Sequence, residues 1–407
     1  MQACKLERVV ESMPDICIIG GCGHVGLPLG LAFALKGKHV VGIDLDAEKV
    51  AATNAGRMPF LDEGADEALA QCLERKTFYC TTDHSVIASA DVIVTVIGTP
   101  IGGHLNPETE AVQESIDAAG PVFRDGQLFI IRSTVYPGTT ELIARLFRNR
   151  GLAIDVAMCP ERVAQGVALR EISSLPQLVS GCTPSAERRA AELFSQIAPE
   201  IVTLSPIAAE LTKLYNNASR YIQFAVANQF FTIANDYGVD FYEIHAAMTH
   251  AYPRAAGFPT AGLAAGPCLF KDTMQLAAFH RNHFFLGHAA MLVNEGLPNY
   301  LVERVRARFP LEEMTVGILG MTFKADCDDI RDSLAFKLRR NLATHAHSVL
   351  VHDPFLPAEQ VTPIPELLQQ SDLIVVATPH SEYRSLDFGA LPVVDVWNMT
   401  DARIKIL

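Results

Sequence analysis

The chain has 407 residues, of which 49% are hydrophobic and 19% charged, and its formal net charge is -13 at pH 7. This length allows two or three domains with substantial cores, and the composition excludes a disordered chain. The negative charge argues against nucleic acid, because binding to phosphate backbones requires clustered Lys and Arg. No apolar run reaches the roughly 20 residues that cross a bilayer, and the segment before Asp15 lacks the apolar core of a secretion signal. We therefore expect a cytoplasmic protein with no membrane partner.

Cysteine and histidine are plentiful but carry no recognisable metal pattern. The chain has nine cysteines, from Cys4 to Cys327, without a C-x-x-C pair, and thirteen histidines without an H-E-x-x-H spacing. A disulfide framework and a zinc site are therefore both disfavoured. We expect no metal, and we expect most cysteines to be small buried hydrophobic side chains.

The first half alternates short apolar runs with helix-compatible segments. A strand is predicted at residues 16–20, a glycine turn follows, and an apolar periodic stretch predicts a helix over residues 27–35. Further strands are predicted at residues 39–44, 92–97, 128–131 and 154–158. This alternation predicts a parallel, doubly wound sheet.

The last hundred residues repeat the same order of elements on a smaller scale. Strands are predicted at residues 315–320, 347–353 and 373–377, and a helix at 333–342. The run QSDLIVVATPH from Gln370 also resembles SADVIVTVIGTP from Ser89. The pattern predicts a second, smaller α/β unit.

A long helix is predicted between the two halves. Ser205 is a suitable cap, Pro206 suits the first turn and Gly238 suits the end, which gives a helix roughly 45–50 Å long. The predicted fold is thus α/β, with two Rossmann-like, doubly wound parallel-sheet domains joined by a long central helix. We expect domains at residues 1–204, 205–300 and 301–407, and the central helix is a candidate homodimer surface.

The glycine turn has the pattern of a dinucleotide site. Gly21, Gly23 and Gly26 form G-x-G-x-x-G between a predicted strand and a predicted helix, and Asp44 ends the next strand. Such glycines permit the turn and the approach of a pyrophosphate, while the acid binds a ribose hydroxyl and repels a 2'-phosphate. NAD is therefore favoured over NADP. The alternative is a plain glycine turn beside a surface aspartate.

The predicted central helix carries a polar stripe, and a cysteine follows it in a glycine-containing loop. At 100° per residue one narrow face holds Glu210, Lys213, Asn217, Arg220 and Asn228. Periodicity alone favours a solvated face. Cys268 lies in AGPCLFKD, where a neighbouring lysine would favour the thiolate, although an isolated cysteine is more often inert and buried.

Six segments, in order, carry a family resemblance. They are GGCGHVGLPLG from Gly20, RSTVYPGTTE from Arg132, CPERVAQG from Cys159, AELTKLYNN from Ala209, AGPCLFKD from Ala265 and GMTFKADCDDIRDS from Gly320. Over nearly its whole length the chain resembles the UDP-glucose/GDP-mannose dehydrogenase family.

The resemblance implies a four-electron oxidation of the C6 hydroxyl of a UDP-sugar to a carboxylate, with two NAD molecules used in turn. Cys268 would capture the intermediate aldehyde as a thiohemiacetal, which is oxidised to a thioester and then hydrolysed. Lys213 and Asn217 would stabilise negative charge on the substrate oxygen. Asp272 and Thr134 would position water. Glu161 would act as the base in hydrolysis or align the substrate.

The same resemblance assigns binding residues. The cofactor set is Gly21, Gly23, His24, Val25, Gly26, Asp44, Thr99 and Thr134, to which Lys324 and Arg331 are added as weaker candidates. The substrate set is Glu161, Arg162, Lys213, Asn217, Arg220, Arg254, Gly266, Phe323, Lys324 and Arg331. The two C-terminal cations suit recognition of phosphate or carboxylate groups.

Several positions depart from the family pattern and leave the sugar open. Gln229 and Arg132 stand where many members have Glu, and Ala265 stands where Gly is frequent. Cys159-Pro-Glu-Arg resembles the branch that oxidises N-acetylhexosamines, which favours UDP-N-acetylmannosamine or UDP-N-acetylglucosamine over UDP-glucose. Two other functions stay open: a two-electron β-hydroxyacid dehydrogenase, and a catalytically silent NAD-binding regulatory subunit.

Overall fold

The computed structural model describes residues 13–99 and 110–402. Cys4 and most of the segment examined for a secretion signal lie outside these ranges. By their internal contacts the residues form two compact units that divide after Leu214. Each unit contains one sheet.

The first unit is built on a sheet that has eight strands within the described residues, in the order β3-β2-β1-β4-β5-β6-β7-β8. All neighbouring strands are parallel except β6 and β7, which are antiparallel. The strands are β1 (Ile16–Ile19), β2 (Val40–Ile43), β3 (Phe78–Thr81), β4 (Val92–Thr95), β5 (Leu128–Ile131), β6 (Asp155–Met158), β7 (Gln177–Gly181) and β8 (Ile201–Thr203).

Helices cover both faces of this sheet. Along β1 the side chains alternate between two clusters: Ile16 and Ile18 belong to one core, Cys17 and Ile19 to the other. A strand that is buried on both faces needs the continuous apolar run that the sequence supplies. The helices are α1 (Gly26–Leu35), α2 (Ala47–Asn54), α3 (Ala65–Glu74), α4 (Ala111–Ala119), α5 (Thr139–Asn149), α6 (Ala168–Ile172) and α7 (Pro184–Phe194).

The division between the units falls within α8 (Pro206–Asp236), a helix of 31 residues. Pro206 occupies its first turn, and Gly238, at φ 70°, follows its end. The second unit continues with α9 (Phe241–Thr249), α10 (Leu269–Phe279) and α11 (Phe285–Arg306).

The second sheet has four parallel strands in the described residues, in the order β10-β9-β11-β12. Its elements are β9 (Thr315–Leu319), α12 (Leu334–Ala343), β10 (Ser348–His352), α13 (Ile364–Gln370), β11 (Leu373–Val376) and β12 (Val393–Val394). Val316 and Ile318 face one apolar cluster and Leu319 faces another, so this sheet is also covered on both sides.

The predicted fold class is confirmed, and each predicted strand lies within one or two residues of an observed one. The sequence did not predict β3, β7, β8 or β12. It also did not predict the reversal at β7, which follows because β6 is connected to β7 through an irregular segment and the five-residue α6 and not through a full crossover helix. The three-domain division at residues 204 and 300 stays a prediction.

Candidate active site

The turn after β1 has the close backbone contacts that its glycines predict. A Cβ on Gly21 would lie 2.3 Å from the Cα of Gly42, and one on Gly26 would lie 2.2 Å from the carbonyl oxygen of Gly20. A Cβ on Gly23 would meet only the Gly20 oxygen, at 3.5 Å, which leaves space for a ligand. Helix α1 begins at Gly26 with no side-chain cap, and such a helix start favours an anion. These features fit the pyrophosphate of a dinucleotide.

Asp44 and His24 flank this turn. One carboxylate oxygen of Asp44 accepts the Cys22 N–H at 3.0 Å, and the other accepts the Asp46 N–H at 3.1 Å. The imidazole of His24 stacks on the Phe60 ring with centroids 4.1 Å apart. The carboxylate therefore lies beside the glycine turn, as the binding of an adenosine ribose requires.

Thr99 and Thr134 meet beyond the ends of β4 and β5. The Thr99 hydroxyl donates to the carbonyl of Thr134, and the Ser133 hydroxyl donates to that of Ile97 at 2.7 Å. Thr134 itself is half-buried. Ligands of open α/β sheets bind at this carboxyl edge, so both threonines lie where a cofactor site is expected.

Glu161 follows β6 at the same edge and is buried in an ion pair with Arg132, whose nearest guanidinium nitrogen is 2.6 Å from its carboxylate. Burial raises the pKa of Glu161, but Arg132, two backbone N–H groups and Lys213 outweigh it, so the pKa is lowered overall. The neighbouring Arg162 donates to the carbonyl of Pro176. Its guanidinium is thus engaged by the protein.

Glu210, in the first turns of α8, caps another helix. Its carboxylate accepts the N–H of Gly138 at 2.6 Å and both the N–H and the hydroxyl of Thr140, at 2.8 and 2.5 Å. A carboxylate at a helix start satisfies N–H groups that would otherwise lack partners. Glu210 therefore fixes the start of α5 behind Thr134.

Lys213 and Asn217, one turn apart on α8, are both buried. The side-chain amide of Asn217 donates to Asp272 Oδ2 at 2.5 Å. The other oxygen of Asp272 lies 3.3 Å from the ammonium of Lys271. Asp272 is fully buried, so this network encloses its carboxylate.

The remaining residues of the polar stripe, Asn228 and Arg220, differ in burial. Asn228 is buried and accepts the N–H of Gly262 at 2.8 Å, while its amide donates to Asn294 at 2.9 Å. Arg220 is exposed. The stripe is therefore mostly a buried polar face, and the solvated face that periodicity alone favoured is observed only at Arg220.

Cys268 lies at the start of α10 and is exposed. One helical turn later, the backbone N–H of Asp272 donates to the Cys268 carbonyl at 2.9 Å. Arg331 is close enough to Cys268 that the thiolate form would contribute to raising the pKa of the guanidinium, after the larger effect of the Asp329 hydrogen bonds. A nearby cation and a helix start both favour a thiolate.

The other described cysteines have different environments. Six of them are buried and Cys182 is half-buried. Burial raises the pKa of the Cys159 thiol to about 12 and that of Cys182 to about 11, so both are protonated at neutral pH. The expectation that most cysteines are buried is confirmed for the described residues, among which Cys268 alone is exposed.

The Cys268 loop packs against the turn that follows β9. Gly266, at φ 105°, would place a Cβ 2.5 Å from the Phe323 ring, and its N–H donates to the Asp332 carbonyl at 3.3 Å. Only glycine fits at this position. In the same turn Lys324 and Arg331 are exposed, and Arg331 forms a 2.7 Å ion pair with Asp329.

Arg254 is another of the expected substrate-binding residues. It is exposed, its guanidinium lies 4.9 Å from the centroid of the Tyr252 ring, and it donates to the Tyr252 hydroxyl at 2.7 Å. Within residues 13–99 and 110–402, no group of His, Cys, Asp and Glu could hold a metal ion. In the same ranges no helix combines the length and apolarity needed to span a bilayer.

The first unit thus has a dinucleotide turn, and the second has a parallel sheet and an exposed cysteine one helical turn from a buried Asn–Asp pair. The chain belongs to the UDP-glucose/GDP-mannose dehydrogenase family: it matches the family's NAD binding domain at residues 14–198, its central domain at 207–295 and its UDP binding domain at 317–402. NAD is therefore its cofactor.

Individual relatives extend over almost the whole chain. UDP-N-acetyl-D-mannosamine dehydrogenase from Pyrococcus horikoshii is 30% identical over 384 residues, which cover 91% of each chain. A solved structure of that enzyme from the same organism has a TM-score of 0.89 at 28% identity, covering 96% of each chain. UDP-glucose dehydrogenase from Pyrobaculum islandicum has the same TM-score and identity, with 98% of each chain covered.

Proposed function

We propose that the chain oxidises the C6 hydroxyl of a UDP-sugar to a carboxylate, with Cys268 as the covalent nucleophile. The observation that carries the proposal is the environment of this thiol: exposed at the start of α10, with Arg331 near it and the buried Asp272 one turn further along. An inert structural cysteine would be expected to be buried and protonated, as Cys159 is.

Oxidation of the alcohol yields an aldehyde, which has no hydroxyl hydrogen to lose and needs a nucleophile before it can lose a second hydride. Addition of the Cys268 thiolate to the aldehyde carbon forms a thiohemiacetal, and loss of hydride from that carbon leaves a thioester. Water then adds, the C–S bond breaks, and the products are the carboxylate and the regenerated thiolate. Bound NAD supplies the hydride acceptor for each oxidation.

Lys213 and Asn217 suit stabilisation of the substrate oxygen. Both are buried and one turn apart, so an ammonium and an amide are directed from one helix face into surroundings where charge is weakly screened. The Asn217 amide is oriented by its bond to Asp272. Asp272 and Thr134 are the candidates for positioning the hydrolytic water.

The environment of Glu161 favours alignment over proton abstraction. Its pKa is lowered and its carboxylate accepts hydrogen bonds from Arg132, Arg162 and Val163. A carboxylate with so many donors is a weak base. We therefore assign the base of thioester hydrolysis to Asp272 and give Glu161 a role in alignment.

The nucleotide is proposed to bind at the turn after β9. Lys324 and Arg331 are exposed there, Phe323 offers an aromatic face, and Gly266 is in contact with that ring. Cations and an aromatic ring are suited to a diphosphate and a base. Arg162, Arg220 and Arg254 stay further candidates for substrate binding.

UDP-N-acetylmannosamine is the favoured sugar, supported by the Pyrococcus relative, with UDP-N-acetylglucosamine and UDP-glucose as alternatives. The test is a panel of UDP-sugars with NAD, read by absorbance of the reduced cofactor and by product mass. Two reduced NAD per uronate are expected. One per sugar oxidised would overturn the four-electron reaction and favour a two-electron dehydrogenase, and binding without turnover would favour a silent subunit.

Replacing the nucleophile gives a second test. Cys268→Ser should lower uronate formation by on the order of 1,000-fold or more, because an alkoxide is far harder to generate than a thiolate. Cys182→Ser is the matched control, since Cys182 is the other described cysteine that is not buried. Full uronate turnover by Cys268→Ser would contradict the covalent mechanism.

Three further proposals accompany the reaction. We propose a homodimer through α8, whose exposed apolar side chains are supporting evidence. We place the enzyme in the cytoplasm, because a reactive thiol survives best in a reducing compartment. We retain three domains, with boundaries near residues 204 and 300.

A further inference from the structure

Arg132 is almost completely buried and has a protein partner for each part of its guanidinium. Its Nε donates to Glu161 Oε2 at 2.8 Å, and one Nη lies 2.6 Å from the same oxygen. The other Nη donates to Gln177 Oε1 at 2.9 Å and to the Cys159 carbonyl at 3.3 Å. The group also lies 5.3 Å from the centroid of the Phe194 ring. These contacts fix the guanidinium in one orientation.

Glu161 is held equally firmly from its other side. Its Oε1 accepts the backbone N–H groups of Arg162 and Val163 at 2.5 and 2.6 Å. With the two donors of Arg132, both oxygens of the carboxylate are engaged. The arrangement is therefore a rigid, buried anion held by the guanidinium and by two backbone N–H groups.

The charge of Arg132 has a specific consequence for Glu161. A carboxylate in its place would force one of the two acids to bind a proton. Arginine has the opposite effect and preserves the negative charge. A buried ion pair by itself stabilises a fold little compared with an apolar substitute, so stability alone gives a weak reason for it.

We propose that Arg132 is a positioning residue for the oxidation: it holds Glu161 in one orientation as an anion, so that Glu161 acts on the bound substrate through its charge. The inference rests on the proposed function. It assigns Glu161 an action through charge, with no proton transfer at that carboxylate.

The test compares Arg132→Met, Arg132→Lys and the double variant Arg132→Met with Glu161→Gln. Without the guanidinium, burial should move the pKa of Glu161 up into the assay range, and protonation there should remove the fixed negative charge from the site. In Arg132→Met we expect kcat to fall about tenfold per pH unit below that pKa, with KM for NAD unchanged. Arg132→Lys should keep most of the wild-type dependence of kcat on pH. The double variant should lack the new acidic limb of that pH profile, which is the fall in kcat below the pKa of Glu161.

A second readout does not depend on turnover. In the wild type the lowered pKa of Glu161 stabilises the fold above the unfolded pKa, and this stability is lost on acidification. In Arg132→Met the pKa of Glu161 is expected to be raised, so the dependence of stability on pH changes sign. The free energy of unfolding, relative to that of the double variant, should fall as the pH rises through the folded pKa. Urea titrations across pH measure both slopes. If Arg132→Met fails to fold, Arg132→Gln replaces it, and Arg132→Lys stays the conservative comparison.

The outcomes separate the two proposals. An Arg132→Met profile parallel to that of the wild type, or a limb that persists in the double variant, overturns the role of Arg132 while leaving the function intact. Absence of wild-type turnover with every sugar overturns the proposed function, and the catalytic role of Arg132 with it. The appearance of the limb together with the reversed urea slope supports the inference.

Discussion

At the scale of single residues, Asp44 combines a structural and a recognition role. It accepts the N–H of Cys22, within the glycine turn, at 3.0 Å, so the carboxylate is fixed beside the proposed pyrophosphate site. A fixed negative charge binds a ribose diol and repels a 2'-phosphate. The cofactor preference should therefore depend on the charge of this one side chain.

Asp44→Asn tests this dependence. The amide oxygen can still accept the Cys22 N–H, but the loss of a charged hydrogen bond should weaken NAD binding by about 1.5–3 kcal/mol. NADP should be discriminated against less strongly. Titrations with NAD and NADP measure both effects. Asp46→Asn is the control, because Asp46 caps α2 and asparagine also caps helices. An unchanged ratio of the two affinities would contradict the assigned role.

At the scale of elements, the turn after β9 is anchored by a buried pair. Asp353 accepts the N–H groups of Met321 and Thr322, at 2.6 and 2.9 Å, as Asp44 does for the glycine turn. His380 Nε2 lies 3.0 Å from Asp353, and His380 Nδ1 accepts the N–H of Asp326 at 2.9 Å. This pattern assigns the proton to Nε2. The pair holds the turn that carries Lys324.

His380→Ala should loosen that turn. The loss of two buried hydrogen bonds is expected to cost about 2–4 kcal/mol of folding free energy and to raise KM for the UDP-sugar about tenfold, with a smaller change in kcat. Steady-state kinetics and thermal denaturation measure these effects. The exposed His347, replaced by Ala, is the control. A fall in kcat at constant KM would contradict a binding role for the turn.

The helices and strands also differ in how far the sequence predicts them. Runs of Ile and Val in β1, β5 and β9 specify strands buried on both faces, so those elements and the fold class follow directly. The burial of the α8 stripe does not follow from periodicity, because the partners are distant: Glu210 bonds Thr140, 70 positions away. The pairing of Arg132 with Glu161 could have been predicted, because the two residues follow adjacent predicted strands whose carboxyl ends meet.

At the scale of the whole molecule, α8 leaves several apolar side chains partly exposed in the described chain. Val226, Phe230 and Ile233 recur at spacings of four and three residues on one face of α8, and all are exposed. Tyr237, which directly follows the helix, is exposed as well. A monomer rarely exposes such a continuous apolar stripe. In a C2 dimer the same stripe on two copies would be self-complementary, and this favours an interface along α8.

Ile233→Asp tests this interface, because a carboxylate buried between two helices would lose its hydration without gaining a partner. We expect the dimer dissociation constant to rise by on the order of 100-fold or more, measured by sedimentation velocity across a concentration series. Leu142→Asp is the matched control, since Leu142 is a similarly exposed apolar residue on α5. A wild-type monomer, or an unchanged dimer in Ile233→Asp, would exclude α8 as the interface. Dissociation caused equally by Leu142→Asp would indicate general destabilisation by the added charge and would likewise remove the support for α8.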